Sequence, residues 1–211
     1  MYVPDRYRPR HRGEVLDLVR GNPLALLTVN GDDEPFATHL PMIPDETTLA
    51  AGVGDTGLEN TTFLGHMDRN NPHWAALANG TKALAVFHGP HGYVSPTVYG
   101  TSPASPTWNF TAVHLHGTLE PLDGPDHTLR IVRETVRIFE RDLGTGWDMT
   151  DSLRYFEALA PGVGAFRLHV SAAEGMFKLS QEKSAAIRER VTCSFAASGH
   201  GRRQQLADLM G

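Results

Sequence analysis

The sequence predicts an α+β fold, mainly β: a small barrel of five or six strands, with helices between and after them. Three observations predict it. Short segments of alternating or wholly apolar residues recur over the first 122 positions. Asn30-Gly31-Asp32-Asp33 between two such segments is a strong hairpin signal. After Gly124 the apolar period changes from two to that of a helix. No Gly-rich dinucleotide loop follows any strand, which argues against a doubly wound sheet.

In chain order, GEVLDLVR (13–20) reads as a short helix stopped by Gly21-Asn22-Pro23. LALLTVN (24–30) and EPFATHLPMI (34–43) are the hairpin strands, and TTLAAGV (47–53) and TTFLGHM (61–67) continue the β pattern. NNPHWAALANG (70–80) suggests one or two helical turns entered through Pro72. KALAVFHG (82–89) is a buried strand, and the Pro-, Gly- and Ser-rich stretch from His88 to Thr107 reads as loop. WNFTAVHLHGTLEPL (108–122) is the longest strand candidate. Leu129, Val132, Val136, Phe139 and Leu143 predict the apolar stripe of a helix over about 126–143. A short helix over 151–159, started by Thr150 or Asp151, and a strand at GAFRLHVSA (164–172) follow. The chain thus reads as one domain over 1–211, with a helical insertion (about 126–160) and a helical C-terminal tail (about 184–210).

Composition narrows the function. Hydrophobic residues make up 40% of 211 and charged residues 20%, enough for a real core. The formal charge of −5 with scattered Lys and Arg argues against nucleic-acid binding, which needs a basic face. Cys193 is the sole cysteine, so there is no internal disulfide framework and no Cys-rich zinc site. The N-terminus lacks an apolar leader, and no apolar run of about 18 residues exists to span a membrane. A cytoplasmic protein is expected.

Eleven histidines are present, and four of them, His39, His66, His114 and His116, lie in or beside strands. Period two puts Phe110, Ala112, His114 and His116 on one strand face, and His66 on a face with Thr62 and Leu64. A neutral imidazole on a rigid strand suits haem iron; an ordinary buried histidine or a dimer contact fits each one as well. No HExxH pattern or zinc-like spacing is present. In HMDRNNPHW (66–74), Arg69 can fork onto an anion and Asn70 and Asn71 add donors before a helix, or the segment is a plain capping loop. Lys178, Ser180 and Gln181 in FKLSQEKS (177–184) are three polar donors together, or a solvated strand end. There is no nucleophile elbow, Ser-His-Asp ordering or phosphate loop, and Asp32-Asp33 belong to a turn.

PFATHLP (35–41), GHMDRNNPHW (65–74), FHGPHGYVSP (87–96) with PTWNFTAVHLHG (106–117), and FKLSQEKS (177–184) together resemble the PaiB-like FMN-binding family. The N-terminal MYVP fits it too. The resemblance implies a flavin-reductase-like split β-barrel, built as a homodimer with cofactor sites at the subunit interface. It implies cofactor contacts at Thr38, His39, His66, Arg69, Asn70, Trp108, Asn109, Lys178, Ser180 and Gln181. The chain departs from that family at three places. SPTVY (95–99) replaces SPSWY, APGVGAFRLHV (160–170) replaces an AIVGFEI type, and EKSAAIRERV (182–191) replaces NRPxxDR after KLSQ. In these it is similar to the haem-dependent piperazate synthases of the same fold. Those enzymes close the N–N bond of L-piperazic acid from N5-hydroxy-L-ornithine. The resemblance implies haem b with His66 as axial ligand, His39 and His114 being the next choices. The alternative it leaves open is an FMN-binding transcriptional regulator or stress protein without catalysis; a haem-degrading or haem-trafficking barrel is a third.

Overall fold

Asn30–Asp33 turns the chain as the sequence predicts. β1 (Leu24–Asn30) and β2 (Pro35–Pro44) pair antiparallel from Leu24↔Pro41 to Asn30↔Pro35, and Gly31 N donates to Glu34 O at 3.1 Å. The computed structural model describes the whole chain, Met1–Gly211, as two compact units. The first comprises Pro23–Val86 and Leu115–Ala173; the second comprises Met1–Asn22, Phe87–His114 and Glu174–Gly211.

In the first unit β2 pairs with β3 (Thr62–Asp68), and β3 pairs with β6 (Val163–Lys178) from Thr62↔His169 to Asp68↔Val163. The other edge of β1 pairs with β4 (Lys82–Val94), and β5 (Thr107–Leu122) completes the ring. The order β1-β2-β3-β6-β5-β4 is a closed barrel, which leaves no unpaired edge strand. Alternation along β1 buries Ala25, Leu27 and Val29. Gly65 gives the Phe166 ring its room: a Cβ there would lie 2.5 Å from Phe166 Cζ.

Outside the barrel, α4 (Pro125–Asp142) lays Ile131 and Ile138 over Ile43, Leu64, Leu122 and Ala165. The predicted stripe is displaced by one position. The buried residues are Thr128, Ile131, Thr135 and Ile138, whereas Leu143 is 57% exposed. The threonines pack as if apolar because their hydroxyls are satisfied: Thr135 Oγ1 donates to Ile131 O of the same helix at 2.9 Å, and Thr128 Oγ1 to Val163 O of β6 at 3.5 Å. The segment 47–53 is likewise not a strand. Leu49–Ala51 forms a 3₁₀ turn, and only Val53 bridges, to Glu59. Asp45 holds this turn: its carboxylate accepts from Thr47 Oγ1 (2.6 Å) and its carbonyl from Thr48 Oγ1 (2.9 Å). Such bonds give the backbone an alternative to a ladder. The short helix α5 (Leu153–Leu159) follows a 3₁₀ turn at Thr150–Ser152.

The second unit gathers the far ends of β4, β5 and β6 with α1 (Arg12–Gly21), α3 (Pro96–Tyr99), α6 (Ala185–Ala196) and α7 (Gly201–Met210). Here the expected loop from His88 is overturned, since β4 runs on to Val94. Gly89 and Gly92 are close-packing points rather than breakers. A Cβ on Gly89 would lie 2.3 Å from Thr111 Oγ1, and one on Gly92 would lie 3.3 Å from the Phe195 ring. The C-terminal tail is two helices that bury Val191, Phe195, Leu206 and Ala207. No helix is long and apolar enough to cross a membrane.

Candidate functional site

The sequence-predicted residues fall into two groups, one in each unit. In the barrel unit, Asn71 caps α2 (Pro72–Ala75): its side chain accepts from His73 N at 3.0 Å, with Pro72 at the first helical position. This cap aims His73 at β2. His73 Nδ1 lies 2.9 Å from Thr38 Oγ1, which also accepts from Asn71 Nδ2 at 3.2 Å, and Phe36 stacks on the imidazole. His73 is 1% exposed and its Nε2 has no partner. His73 is not among the donors that the sequence singles out in this segment. Only folding sets Thr38 against it, although the Asn-Pro cap is a signal in the sequence.

Thr38 and His39 point to opposite faces of β2, so the structure does not bring them together. His39 is exposed. Register places Ile43 opposite Leu64, and alternation then puts His39 and His66 on that same face of β2 and β3. His66 sits inside β3 opposite Ala165, and its Nδ1 is buried without a partner. Arg69 is more committed than the sequence suggests, and Asn70 is held through its backbone. Arg69 Nε donates to Val163 O at 3.0 Å and its guanidinium lies 5.0 Å from the Trp74 ring centroid. Asn70 N donates to the Asp68 carboxylate at 2.8 Å.

Burial holds both His66 and His73 below the usual histidine range, so both are neutral near pH 7. His88 is lowered as well, first by burial and then by His91 and Arg202. Each unfolded imidazole takes up a proton from about pH 6.5 downward, while the folded one resists. Stability is therefore complete above about pH 6.5 and is lost as pH falls toward the folded values, by at most about 1.4 kcal/mol per pH unit per histidine. Urea midpoints taken at several values between about pH 7.5 and 5 should fall on acidification. The fall should be shallower in His66→Asn; equal slopes would show that His66 does not titrate this way.

In the second unit Trp108 is 47% exposed at the start of β5. It stacks with His91 (5.8 Å, 24°) and lies 6.0 Å from the Tyr93 ring, which is itself 43% exposed. These rings form an aromatic surface of the kind on which a planar group stacks. Asn109 and Ser180 are instead fully buried and spent on each other, with Asn109 Nδ2 donating to Ser180 Oγ at 2.9 Å. Ser180 adopts φ +63°, unusual for a residue with a side chain, and this bond helps hold it there. Gln181 closes the same turn, accepting from Leu179 N (2.6 Å) and donating to Phe177 O (2.5 Å). The expected trio of free donors is thus reduced to Lys178, whose Nζ donates to Thr107 Oγ1 at 2.7 Å. A solvated strand end is not found either, because Leu179 and Ser180 are buried.

Residues 1–172 match the family model described as "Putative FMN-binding domain". The chain is 27% identical over 212 residues to the protease synthase and sporulation protein PAI 2 of Bacillus subtilis (strain 168), covering 100% of this chain and 96% of that protein. Among solved structures, it resembles the FAD and haem binding protein from Mycobacterium smegmatis with a TM-score of 0.57. The identity there is 18%, over 86% of this chain and 78% of that one. The flavocytochrome Anf3 from Azotobacter vinelandii gives a TM-score of 0.54 at 14% identity, over 80% and 68% of the two chains. At these identities the likeness carries the fold, an α+β split barrel.

Proposed function

Because this chain belongs to the FMN-binding domain family, we propose that it has kept the family's barrel and uses it to hold haem b for closing an N–N bond. The observation that carries this reading is His66. Its imidazole is neutral, the protonation state an iron ligand requires, and its Nδ1 is buried with no hydrogen-bond partner in the chain. The residues therefore fit haem in the donor they offer. The M. smegmatis neighbour, named for binding both FAD and haem, and the flavocytochrome support a barrel of this kind accepting haem.

Bound haem supplies a Lewis acid that polarises a hydroxylamine N–O bond. The proposed substrate is N5-hydroxy-L-ornithine and the product L-piperazic acid, formed by loss of one water. The α-nitrogen gives its electron pair to N5 and loses a proton; the N5–O bond breaks and the hydroxyl leaves as water. The electrons balance within the substrate, so no external oxidant or reductant is consumed. The protein's share is to hold the chain folded so that the two nitrogens meet, which intramolecular geometry rewards strongly.

Anaerobic incubation of the haem-loaded protein with N5-hydroxy-L-ornithine, followed by mass spectrometry, is expected to show loss of one water. Substrate recovered unchanged, together with tight FMN binding, would overturn this reading in favour of an FMN-binding regulator without catalysis.

A further inference from the structure

In the second unit α1 and α7 both line a cavity of about 420 Å³, within the size range of small-molecule sites. Every residue that lines it belongs to that unit. Its floor is apolar: Leu18, Pro90 and Phe177 are buried, and Leu209 of α7 completes it. Its rim is acidic, with Glu14 and Asp17 on α1 and Asp208 on α7. Arg10 lines the cavity too, but Glu14 takes its charge. Both Arg10 Nε and Arg10 N donate to the Glu14 carboxylate, each at 2.6 Å. With histidine neutral, the exposed carboxylates of Asp17 and Asp208 leave the lining net negative. The backbone adds to this. Both helices present their C-terminal turns to the cavity, α1 through Leu18 and Gly21 and α7 through Asp208 and Leu209. The carbonyl end of a helix carries about half a negative charge. Arg20, the basic residue in the last turn of α1, does not line the cavity, and the last turn of α7 has no basic residue.

We propose that this cavity binds a small organic amine, its apolar body on the floor and its ammonium at the acidic rim, where Asp17, Asp208 and the two helix C-termini favour positive charge. An ammonium has only donors to offer, so carboxylates and carbonyl ends suit it, and the same groups repel an anionic ligand. A bare metal ion gains nothing from Leu18, Phe177 and Leu209, whereas a hydrocarbon body leaves water by lying on them. Phe177 also gives an aromatic body a ring to pack against. Asp208 is the residue that a purely structural role leaves unexplained, because a carboxylate in the last turn of a helix opposes the dipole. The assignment does not rest on the reading of the cofactor.

The test is calorimetric titration of the full chain, carrying its cofactor, at about pH 8, above the usual histidine range. The probes are tryptamine, its uncharged analogue tryptophol, and the anionic 3-indolepropionate. Tryptamine should bind about tenfold or more tightly than either analogue. Asp17→Asn and Asp208→Asn should each weaken tryptamine about fivefold, the modest effect of an exposed carboxylate, and leave tryptophol unchanged. Asp208→Asn should also raise Tm by on the order of 1–3 °C, since it removes a charge that opposes the helix dipole. Loss of amine affinity with a gain in stability is the signature of a carboxylate kept for a ligand. No tryptamine binding, equal affinity for tryptamine and tryptophol, or unaltered tryptamine affinity in both variants overturns the assignment. A lower Tm in Asp208→Asn overturns the role given to that carboxylate.

Discussion

Replacing His66 with Ala is expected to weaken haem binding on the order of a hundredfold or more, with loss or displacement of the Soret band. Removing a group that merely orients a metal ligand costs about 10–100-fold, so removing the ligand itself should reach at least the upper end. The expectation rests on an imidazole that burial keeps neutral and whose Nδ1 has no partner. Ala also leaves space in β3, so His66→Gln serves as the companion variant: it fills the site without a ring nitrogen. Both should bleach the band while far-UV circular dichroism stays that of the parent. An unchanged Soret band in both removes His66 from the role and passes it to His39 or His114.

A large effect on stability is expected at Gly117, the last residue of the HLHG run in β5. A Cβ built there would lie 2.3 Å from His169 O and 2.9 Å from Leu168 Cδ1. The obstacle is backbone of the adjacent strand β6, which cannot swing aside as a side-chain end can. Gly117→Ala should therefore cost roughly 3 kcal/mol or more and lower Tm by on the order of 8 °C. Gly162→Ala is the control, since nothing lies within 4 Å of its would-be Cβ; it should move stability by no more than about 0.5 kcal/mol. Equal Tm values for the two variants would contradict the close approach of β5 and β6.

The barrel was legible because its information is local. Alternation in LALLTVN and the Asn-Gly turn need no distant partner to be read, and both strands stand where the alternation puts them. Misreadings came where a residue's usual meaning was reversed by packing. Gly89 and Gly92 look like loop residues, but Thr111 and Phe195 need the space that a side chain would take. Thr128 and Thr135 look polar, yet they form half of the buried stripe of α4.

The candidate site was legible as motifs and illegible as contacts. PFATHLP and GHMDRNNPHW are far apart in sequence, and only folding sets Thr38 Oγ1 against His73. Asn109 and Ser180 looked like ligand donors because their partners, each other, are also distant in sequence. The departures SPTVY and EKSAAIRERV acquire a shared meaning in the structure, because α3 packs on α6. Arg190 of α6 reaches the space above Gly100, the left-handed residue that ends α3. Two segments that look like independent drift are therefore one altered surface.

The central claim, a split barrel that holds haem by a strand histidine, is tested most directly by the visible spectrum of the purified chain offered haem and FMN together in equal amount. The account predicts a Soret band corresponding to one haem per chain and no retained flavin absorbance. A yellow protein with bound flavin and no Soret band would contradict it.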